Sequence, residues 1–491
     1  MPLNLSNRDQ NSGHLFYNRR LRAAITRFSV RMKHDDRKQQ AAVALSMVFV
    51  LIGMGWMALL HFIKPAGIVG ESAIIGNRQT GQVYAKVNGR LYPALNLTSA
   101  RLATGSSVTP TWVTAAEIAK FPTGPLVGIP GIPDDMPAGG GVSAWTVCDT
   151  AAARGTGGAP VVTSIAGQLT QGGRAAGMTP TQAVLTTHEG GTYVIWGGHR
   201  SRIEPADRSV TFTLGLDPGV TSPVAISNAL FDAMPATEPL VVPAIPESGT
   251  PSRWLPGMPV GAVLETRDAT GVTSGFYALL PGGVQKITSF VADLLRTANA
   301  QGSLAPELIS PDKLVNVPTV ENLDVGFYPT SKLDFVDTDA NPVTCVAWEK
   351  LASDRQAEIT VLNGRGLPIS PAMDTHLVKL VRNDRDPSSV EADQALGLPG
   401  AANLVATTSG VATSNTKESL YWVSPQGVRF GIEWDQPTLA ALAIDPNRAV
   451  QAPWPIVRTF AAGPAISQRA ALVAHDTSTT DGAVAPVTTG G

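Results

Sequence analysis

The segment YVIWGGHRSRI, Tyr193–Ile203, places two glycines beside one histidine and two arginines. A glycine turn flanked by His199, Arg200 and Arg202 is a candidate site for a small anion such as phosphate. The same segment also fits two β-strands joined by a glycine turn, because an apolar run precedes the glycines. The hairpin is the preferred interpretation, since glycines recur at this place in three other segments that lack the histidine.

Other residues that could catalyse a reaction are scattered along the chain. The sequence contains no G-x-x-x-x-G-K-[ST], G-x-S-x-G or H-E-x-x-H motif, so the common signatures of a phosphate cradle, a serine nucleophile and a zinc site are missing. The segment SNTK, Ser414–Lys417, matches S-x-x-K, a pattern short enough to arise by chance. We therefore predict no catalytic residue, and no metal site at the scattered histidines His188, His199, His376 and His475. The acidic pairs, Asp134 with Asp135 and Asp384 with Asp386, are predicted to lie in solvated loops.

Composition favours a turn-rich, mostly β protein. Of the 491 residues, 43% are hydrophobic and 15% charged, and 48 glycines accompany 38 prolines. This share of glycine and proline is typical of many turns and short strands. The net charge of −2 gives the chain no overall attraction to nucleic acid.

Charge is concentrated at the start of the chain. Residues 1–40 carry nine Lys/Arg against three Asp, and residues 41–63 contain no Lys, Arg, Asp or Glu. As a helix the apolar run would be about 34 Å long, enough to cross a bilayer. The basic leader is too long for a cleaved signal peptide. We therefore predict one uncleaved span, with the basic arm in the cytoplasm and everything after Lys64 outside it.

The arm also has a helical pattern of apolar residues. They recur at spacings of three and four and would form one stripe of an amphipathic helix. Such a stripe could rest on anionic lipid headgroups, but we favour docking into a cytoplasmic partner protein. The stripe consists of Tyr17, Leu21, Ala24, Ile25, Phe28 and Met32.

The chain has two cysteines, Cys148 and Cys345, and both follow the predicted span. Thiols outside the cytoplasm tend to be oxidised, so a single bridge between them is the natural pairing. Two free, buried cysteines acting as small apolar residues are the alternative. Two cysteines alone make a poor zinc site, and neither belongs to a C-x-x-C motif.

Four segments share one pattern: a tyrosine leads an apolar run, a glycine follows five or six positions later, and a basic or amide residue precedes further apolar positions. Two strands joined by a glycine turn have this pattern. Spacing also repeats, because Asp217 follows the second tyrosine and Asp445 the fourth by 24 positions each. The tyrosines that mark these segments are Tyr84, Tyr193, Tyr277 and Tyr421.

These observations predict a single-pass membrane protein with a mixed α+β, mostly β region outside the cytoplasm. In that region four small β repeats surround a central body built from two related halves. The predicted divisions are an amphipathic arm (1–40), a transmembrane helix (41–63), repeat 1 (68–105), the first central half (106–185), repeat 2 (186–238), a proline-rich linker (239–259), repeat 3 (260–300), the second central half (301–415), repeat 4 (416–475) and a flexible tail (476–491).

Several longer motifs resemble one known family. They are GHLFYNRRLRAAITRFSVRM in the arm, LYPALNLTSARL, GPLVGIPG, WTVCDT, LPISP and ESLYWVSPQGVRFGI. Together they are similar, in the same order, to the EccB family, a membrane component of the mycobacterial type VII (ESX) secretion machinery. The likeness runs from about residue 8 to residue 476.

This resemblance implies a structural core subunit of a secretion complex in the inner membrane. It implies partner subunits EccC, EccD and EccE, a mycosin protease, and assembly as a homo-oligomer in membrane lipid. It also implies four repeats around a central body and a bridge at Cys148 and Cys345. An ATPase activity is attributed to the family, so a nucleotide hydrolase using ATP is the alternative function, although the sequence has no nucleotide-binding motif. A cell-wall binder that uses the β repeats is a third possibility.

Overall fold

The computed structural model describes residues 8–28, 33–63, 67–137, 141–153, 158–217, 221–303, 305–381 and 389–476. Two long helices come first, α1 (Arg8–Arg27) and α2 (Lys33–Ile63). Within α2, the 20 residues Gln40–Leu59 have a mean hydropathy of 2.2 and none is buried. Among the described residues, this is the one helix long and apolar enough to cross a membrane.

The predicted stripe of the arm is shorter than expected. Helix α1 ends at Arg27, and Phe28 has a left-handed backbone with φ of 49° and is 97% exposed. A residue in that conformation cannot continue a right-handed helix. The placement of Phe28 on the stripe was therefore wrong, and Met32 lies outside the described residues. Tyr17, Leu21 and Ile25 remain on α1 and are exposed.

The body after α2 is mixed α/β and mostly β. From residue 67 to 240 its elements are β1 (Ile74–Asn77), β2 (Val83–Val87), β3 (Arg90–Pro93), α3 (Leu97–Thr104), β4 (Thr111–Val113), α4 (Ala115–Ile118), β5 (Leu126–Val127), β6 (Ser143–Thr150), β7 (Val161–Ala166), β8 (Ala175–Gly177), β9 (Gln182–His188), β10 (Gly191–Trp196), β11 (His199–Ile203), α5 (Arg208–Leu214), β12 (Val224–Ala225) and α6 (Asn228–Ala233).

The second part of the body continues with strands and short helices in a similar order. Its elements are β13 (Val263–Arg267), β14 (Thr273–Leu280), β15 (Gly283–Ile287), α7 (Ser289–Ala298), β16 (Glu307–Leu308), α8 (Pro311–Leu314), β17 (Asp334–Phe335), β18 (Val343–Lys350), β19 (Glu358–Gly364), β20 (Val378–Lys379), β21 (Gln394–Gly397), β22 (Leu404–Thr408), β23 (Leu420–Val423), β24 (Val428–Ile432), α9 (Gln436–Leu442), β25 (Val450–Pro453), α10 (Trp454–Val457), β26 (Ala461–Ala462), α11 (Gln468–Ala471) and β27 (Ala474–His475). The segments Pro371–His376 and Pro446–Arg448 form 3₁₀ turns.

A hairpin is present at each of the four marker tyrosines, as predicted. Its turn needs glycine where the backbone is left-handed, for example at Gly89 (φ 76°) and Gly198 (φ 84°). Each tyrosine lies opposite a residue of the following strand, in the pairs Tyr84–Pro93, Tyr193–Arg202, Tyr277–Lys286 and Tyr421–Gly431.

The four hairpins belong to four small sheets: sheet 1 (β1–β4), sheet 2 (β9–β12, with β17 also paired to β9), sheet 3 (β13–β16) and sheet 4 (β22–β26). In each, the strand before the tyrosine pairs antiparallel with the tyrosine strand and parallel with a strand that follows a helix. In each sheet, one residue of the strand before the tyrosine pairs with the tyrosine on one side and with the first residue of the later strand on the other. These residues are Ile75, Thr186, Leu264 and Val405.

The third strand of each sheet is covered by a later segment. On the third strand, the residue two positions before the one opposite the tyrosine pairs in parallel with a residue of this later segment, which we call the closing segment. The closing pairs are Leu91–Thr123, Arg200–Ala236, Val284–Thr319 and Arg429–Ala462. Because the outer hairpin edge is paired in this way, it is not left open to another chain.

The central sheet has the strand order β20-β21-β7-β6-β18-β19-β8. Its middle strands β6 and β18 run antiparallel, with Cys148 opposite Cys345 and Trp145 opposite Trp348. Successive side chains of a strand point to opposite faces, so the cysteines face one apolar cluster and the tryptophans another. Helices α6 and α10 pack over the tryptophan face.

Candidate functional site

The cysteines of the central sheet form the predicted bridge. Cys148 and Cys345 are joined as a disulfide, with Cα atoms 4.0 Å apart, and both are fully buried. Ile165, Val343 and Leu362 pack around them. The bridge prediction is confirmed and the alternative of two free thiols is wrong. A bridge across 197 positions removes chain entropy equivalent to about 5 kcal/mol in the loop-entropy treatment.

Asp149, the residue after the bridge, faces the opposite side of the sheet and is 3% exposed. Its carboxylate accepts hydrogen bonds from the Ser227 backbone N (2.6 Å) and from the Ser227 hydroxyl (2.7 Å). Ser227 caps α6, since its Oγ accepts from the Leu230 backbone N at 3.1 Å. Burial raises the pKa of Asp149 to about 7. Asp149 thereby links the bridged strand to sheet 2.

A second contact joins α6 to α10. The guanidinium of Arg458 forms a short ion pair with the carboxylate of Asp232. Asp232 lies six positions after the buried Ile226 of sheet 2, and Arg458 lies six positions after the buried Ala452 of sheet 4. Ile226 and Ala452 occupy equivalent positions, two residues after the first residue of the later strand. Both side chains are partly exposed, so solvent weakens the pair. Its main consequence is to connect sheets 2 and 4 over the tryptophan face.

The opening segment forms a hairpin that places His199 on the opposite face from its two arginines. His199 and Arg200 are neighbours on β11, so their side chains point to opposite faces. The Nδ1 of His199 donates to the Gly197 carbonyl (3.0 Å), and its ring contacts Trp196. Burial lowers the pKa of His199, which disfavours its charged form. The three residues postulated as an anion site therefore do not converge on one face of the hairpin.

Arg200 has a structural role instead. Its Nη1 donates to the Met234 carbonyl at 2.7 Å, and its guanidinium carbon lies 3.8 Å from the centre of the Phe231 ring. His188 stacks on the same ring with centroids 3.8 Å apart. Arg202, two residues along the strand, is exposed. Arg200 therefore fastens β11 to the end of α6.

The other residues singled out from sequence also make structural contacts. Asp134 accepts from the Leu97 backbone N at the start of α3, and Asp135 pairs with Arg101 at 3.2 Å. The Lys417 ammonium donates to the Ala449 carbonyl at 2.8 Å. Among the described residues, no three His, Cys, Asp or Glu side chains are grouped so that they could hold a metal ion. Asp384 and Asp386 lie outside those residues.

Sequence reasoning did not single out Asp149, Ser227 or Asp232. The signal for Asp149 was available, because an acidic residue inside the apolar strand SAWTVCDT must face the core or an adjoining helix. Ser227 precedes a short helical segment and has the residue type of an N-cap.

Comparison with known proteins places this architecture in a family. The sequence matches the family model described as type VII secretion system ESX-1, transport TM domain B, over residues 3–480. It is 65% identical over 490 residues to the ESX-2 secretion system ATPase EccB2 of Mycobacterium tuberculosis, a match that covers 100% of this chain and 99% of the relative. The chain belongs to the EccB family. The ESX-5 secretion system ATPase EccB5 of Mycobacterium marinum is 39% identical, over 97% of this chain and 94% of its own.

Solved EccB structures share the fold. A chain of an intact ESX-5 inner membrane complex matches 99% of this chain and 98% of its own, with a TM-score of 0.75 and 37% identity. The EccB3 dimer from the ESX-3 core complex matches 82% of this chain and 100% of its own, with a TM-score of 0.70 and 35% identity. EccB proteins are thus components of inner membrane complexes that include a periplasmic assembly. The resemblance inferred from the sequence motifs is confirmed.

Proposed function

We propose that this chain is a structural core subunit of an ESX inner membrane complex, anchored by α2 and organising the complex outside the cytoplasm for protein export. The observation that carries this proposal is its likeness, over 99% of the chain, to a subunit of an intact ESX-5 inner membrane complex. The contacts of the body suit a scaffold. The bridge joins the two middle strands of the central sheet, and the Asp149–Ser227 link and the Asp232–Arg458 pair fasten one sheet to another.

The four small sheets are copies of one repeat in this proposal. Their support is the shared pairing around the marker tyrosines and a shared spacing of eight between two apolar residues after the helix. The spaced residues are Val113 with Phe121, Ile226 with Met234, Ile309 with Val317, and Ala452 with Phe460.

The division of the chain follows the sheets. Paired strands span residues 74–123, 182–236, 263–319 and 404–462, against sequence-based bounds of 68–105, 186–238, 260–300 and 416–475. Repeats 1 and 3 end later than expected because paired segments follow the helix of each sheet, and repeats 2 and 4 begin earlier because the strand before the tyrosine belongs to the sheet. The segment 239–259 joins sheets 2 and 3 and contributes the buried Leu240 and Leu255.

The central body consists of two related halves, β6–β8 and β18–β21, which exchange strands. The third strand of the first half, β8, pairs with β19 of the second, and β21 of the second half pairs with β7 of the first. The bridge joins the halves where their first strands meet.

In the cell, the arm lies in the cytoplasm and the body in the periplasm. Its partners are the other membrane components EccC, EccD and EccE, a mycosin protease, membrane lipid and further copies of the chain. The exposed apolar side chains of Tyr17, Leu21 and Ile25 on α1 support docking of the arm to another subunit. Nucleic acid is not a partner, since the body after residue 105 has 23 Lys/Arg against 35 Asp/Glu.

A nucleotide hydrolase is the second candidate, because the relatives EccB2 and EccB5 are named as secretion system ATPases. The two functions are separable by experiment. The full chain is purified in mild detergent from cells that carry the other components, and co-purifying proteins are identified by mass spectrometry. Co-purification of secretion components is expected. Recovery of the chain alone, together with ATP hydrolysis that is lost when Arg200 or His199 is replaced, would replace the scaffold with the enzyme.

A further inference from the structure

Exposed apolar residues lie on the edge strand β4 of sheet 1, in the segment just before it and in the segment that enters the body after the membrane anchor. Trp112 is 41% exposed, Ile68 58% and Val108 46%. Trp112 lies opposite Gly76 in the β1–β4 pair, where a Cβ on Gly76 would be 2.4 Å from its ring. The glycine therefore lets the indole lie across the sheet with its outer part uncovered. We name Ile68, Val108 and Trp112 the β4 edge.

The β4 edge is held close to the end of α2. A Cβ on Gly67 would be 3.3 Å from the Val113 Cα and 3.7 Å from the Trp112 carbonyl oxygen, so the chain entering the body runs along β4. The Thr111 hydroxyl donates to the Ser72 hydroxyl at 2.8 Å, which fastens the strand to this entering segment. The start of the body and β4 therefore move as one unit.

The tether between membrane and body is short. From Leu59, the last residue of the apolar window, to Ile63 the helix rises about 6 Å. Four further peptide steps to Gly67 span at most about 14 Å. Gly67 is thus within about 20 Å of the hydrocarbon boundary, and the headgroup layer takes up about 5 to 8 Å of that distance.

Charge favours the same orientation. Residues 67–105 carry four Lys/Arg against one Glu, whereas residues 106–491 carry 23 against 35. The cations of sheet 1 include Arg78, whose backbone N donates to the Val113 carbonyl at 3.0 Å beside the β4 edge. Anionic headgroups attract the positive sheet 1, which follows the tether, and repel the negative remainder of the body. Tryptophan is enriched at the membrane–water interface, where the ring is apolar and its N–H is hydrated.

We propose that the β4 edge rests on the phospholipid surface of the leaflet from which α2 emerges, with Trp112 at the level of the headgroups. The body is then attached to the membrane at two points, the helix and this edge. A second attachment restricts rotation of the body about the short tether and fixes which sheets face away from the membrane.

The test uses the full chain, purified without other subunits, in nanodiscs of phosphatidylethanolamine and phosphatidylglycerol. Ile68→Cys and, separately, Trp112→Cys are labelled with a nitroxide, since both native cysteines are paired in the bridge. Val272→Cys, in the turn before β14, and Val315→Cys, directly after α8, are 62% and 78% exposed and are the matched controls. Accessibility to oxygen, which partitions into lipid, is compared with accessibility to a water-soluble nickel chelate.

We expect the oxygen-to-nickel accessibility ratio at positions 68 and 112 to exceed that of both controls severalfold. The Ile68 site keeps the test valid if Trp112→Cys disturbs sheet 1, because the Ile68 side chain is mostly exposed. Equal ratios at all four sites would mean that the edge faces water. Shielding of positions 68 and 112 from both relaxants would mean contact with a second copy of the chain. Either result overturns the proposal.

Discussion

The carboxylate of Asp149 is buried against the N-cap of α6 and accepts two hydrogen bonds from one residue, Ser227, at 2.6 and 2.7 Å. Desolvation outweighs these hydrogen bonds and raises the pKa of Asp149 from 3.8 to about 7. The folded protein therefore binds a proton that the unfolded chain releases between these two pH values. This contribution to stability is complete below about pH 4 and is lost as the pH rises toward 7.

For Asp149→Asn we expect a flatter dependence of stability on pH. The amide of asparagine still offers an acceptor to Ser227 but does not titrate. The change of a few kcal/mol in the free energy of unfolding between pH 4 and 7 that Asp149 causes should therefore disappear. Thermal unfolding of the full chain in detergent, followed by circular dichroism across this range, measures the slope. Asp135→Asn, at an exposed carboxylate paired with Arg101, is the control and should leave it unchanged. An identical slope in wild type and Asp149→Asn would contradict the assignment.

Replacing either bridge cysteine, Cys148→Ser or Cys345→Ser, should lower the free energy of unfolding by up to a few kcal/mol. The bridge restricts the unfolded chain, and its loss does not affect α2, so membrane insertion should persist. Urea unfolding of the exported region and alkali extraction of membranes measure the two effects. Non-reducing peptide mapping of the wild type should recover both cysteines in one cross-linked peptide. Free thiols at both positions in mature protein would refute the bridge.

Arg200→Met should destabilise the protein by about 1 to 3 kcal/mol, because the Met234 carbonyl loses a charged donor and Phe231 its cation. Arg202→Met, two residues away on the same strand and exposed, should change stability by less than about 0.5 kcal/mol. Urea unfolding of both variants gives the difference. Equal effects would mean that Arg200 does not fasten β11 to α6.

Replacing the apolar residues on α1, Leu21→Ser with Ile25→Ser, should prevent co-purification with other membrane components. Each large side chain contributes about 1.5 to 3 kcal/mol when fully buried in an interface. The matched control on the opposite face is Arg19→Lys with Thr26→Ser. Insertion and bridge formation should be normal in both variants. Normal assembly and secretion by the serine variant would indicate that the arm contacts only lipid.

The proposed orientation of the chain predicts where reporters function. A reporter enzyme that is active only outside the cytoplasm should work when fused after Gly70 and fail when fused after Val30. In this proposal the basic arm is retained in the cytoplasm by the positive-inside effect. Activity of the fusion after Val30 would reverse the topology and with it the explanation for an oxidised cysteine pair.

The sequence by itself determined the features that depend on neighbouring residues. A run of 23 uncharged residues has the length of a membrane span, and in the four marked segments a glycine after the tyrosine-led apolar run indicated a hairpin. With two cysteines, one pairing was possible within a chain. The EccB family could be recognised from the sequence because the motifs keep the family's residues in the same order.

Tertiary structure alone decided which distant segments meet. The closing pair Leu91–Thr123 joins residues that are separated by α3, β4 and α4, and no local pattern specifies such a parallel pairing. Asp149 acquired its raised pKa only because β6 packs beneath α6, and the alternation of β11 separated His199 from Arg200 and Arg202. Residues that are neighbours in the sequence determine turns and periodicity through backbone sterics. The contacts between distant segments depend instead on burial, which many separate segments create together.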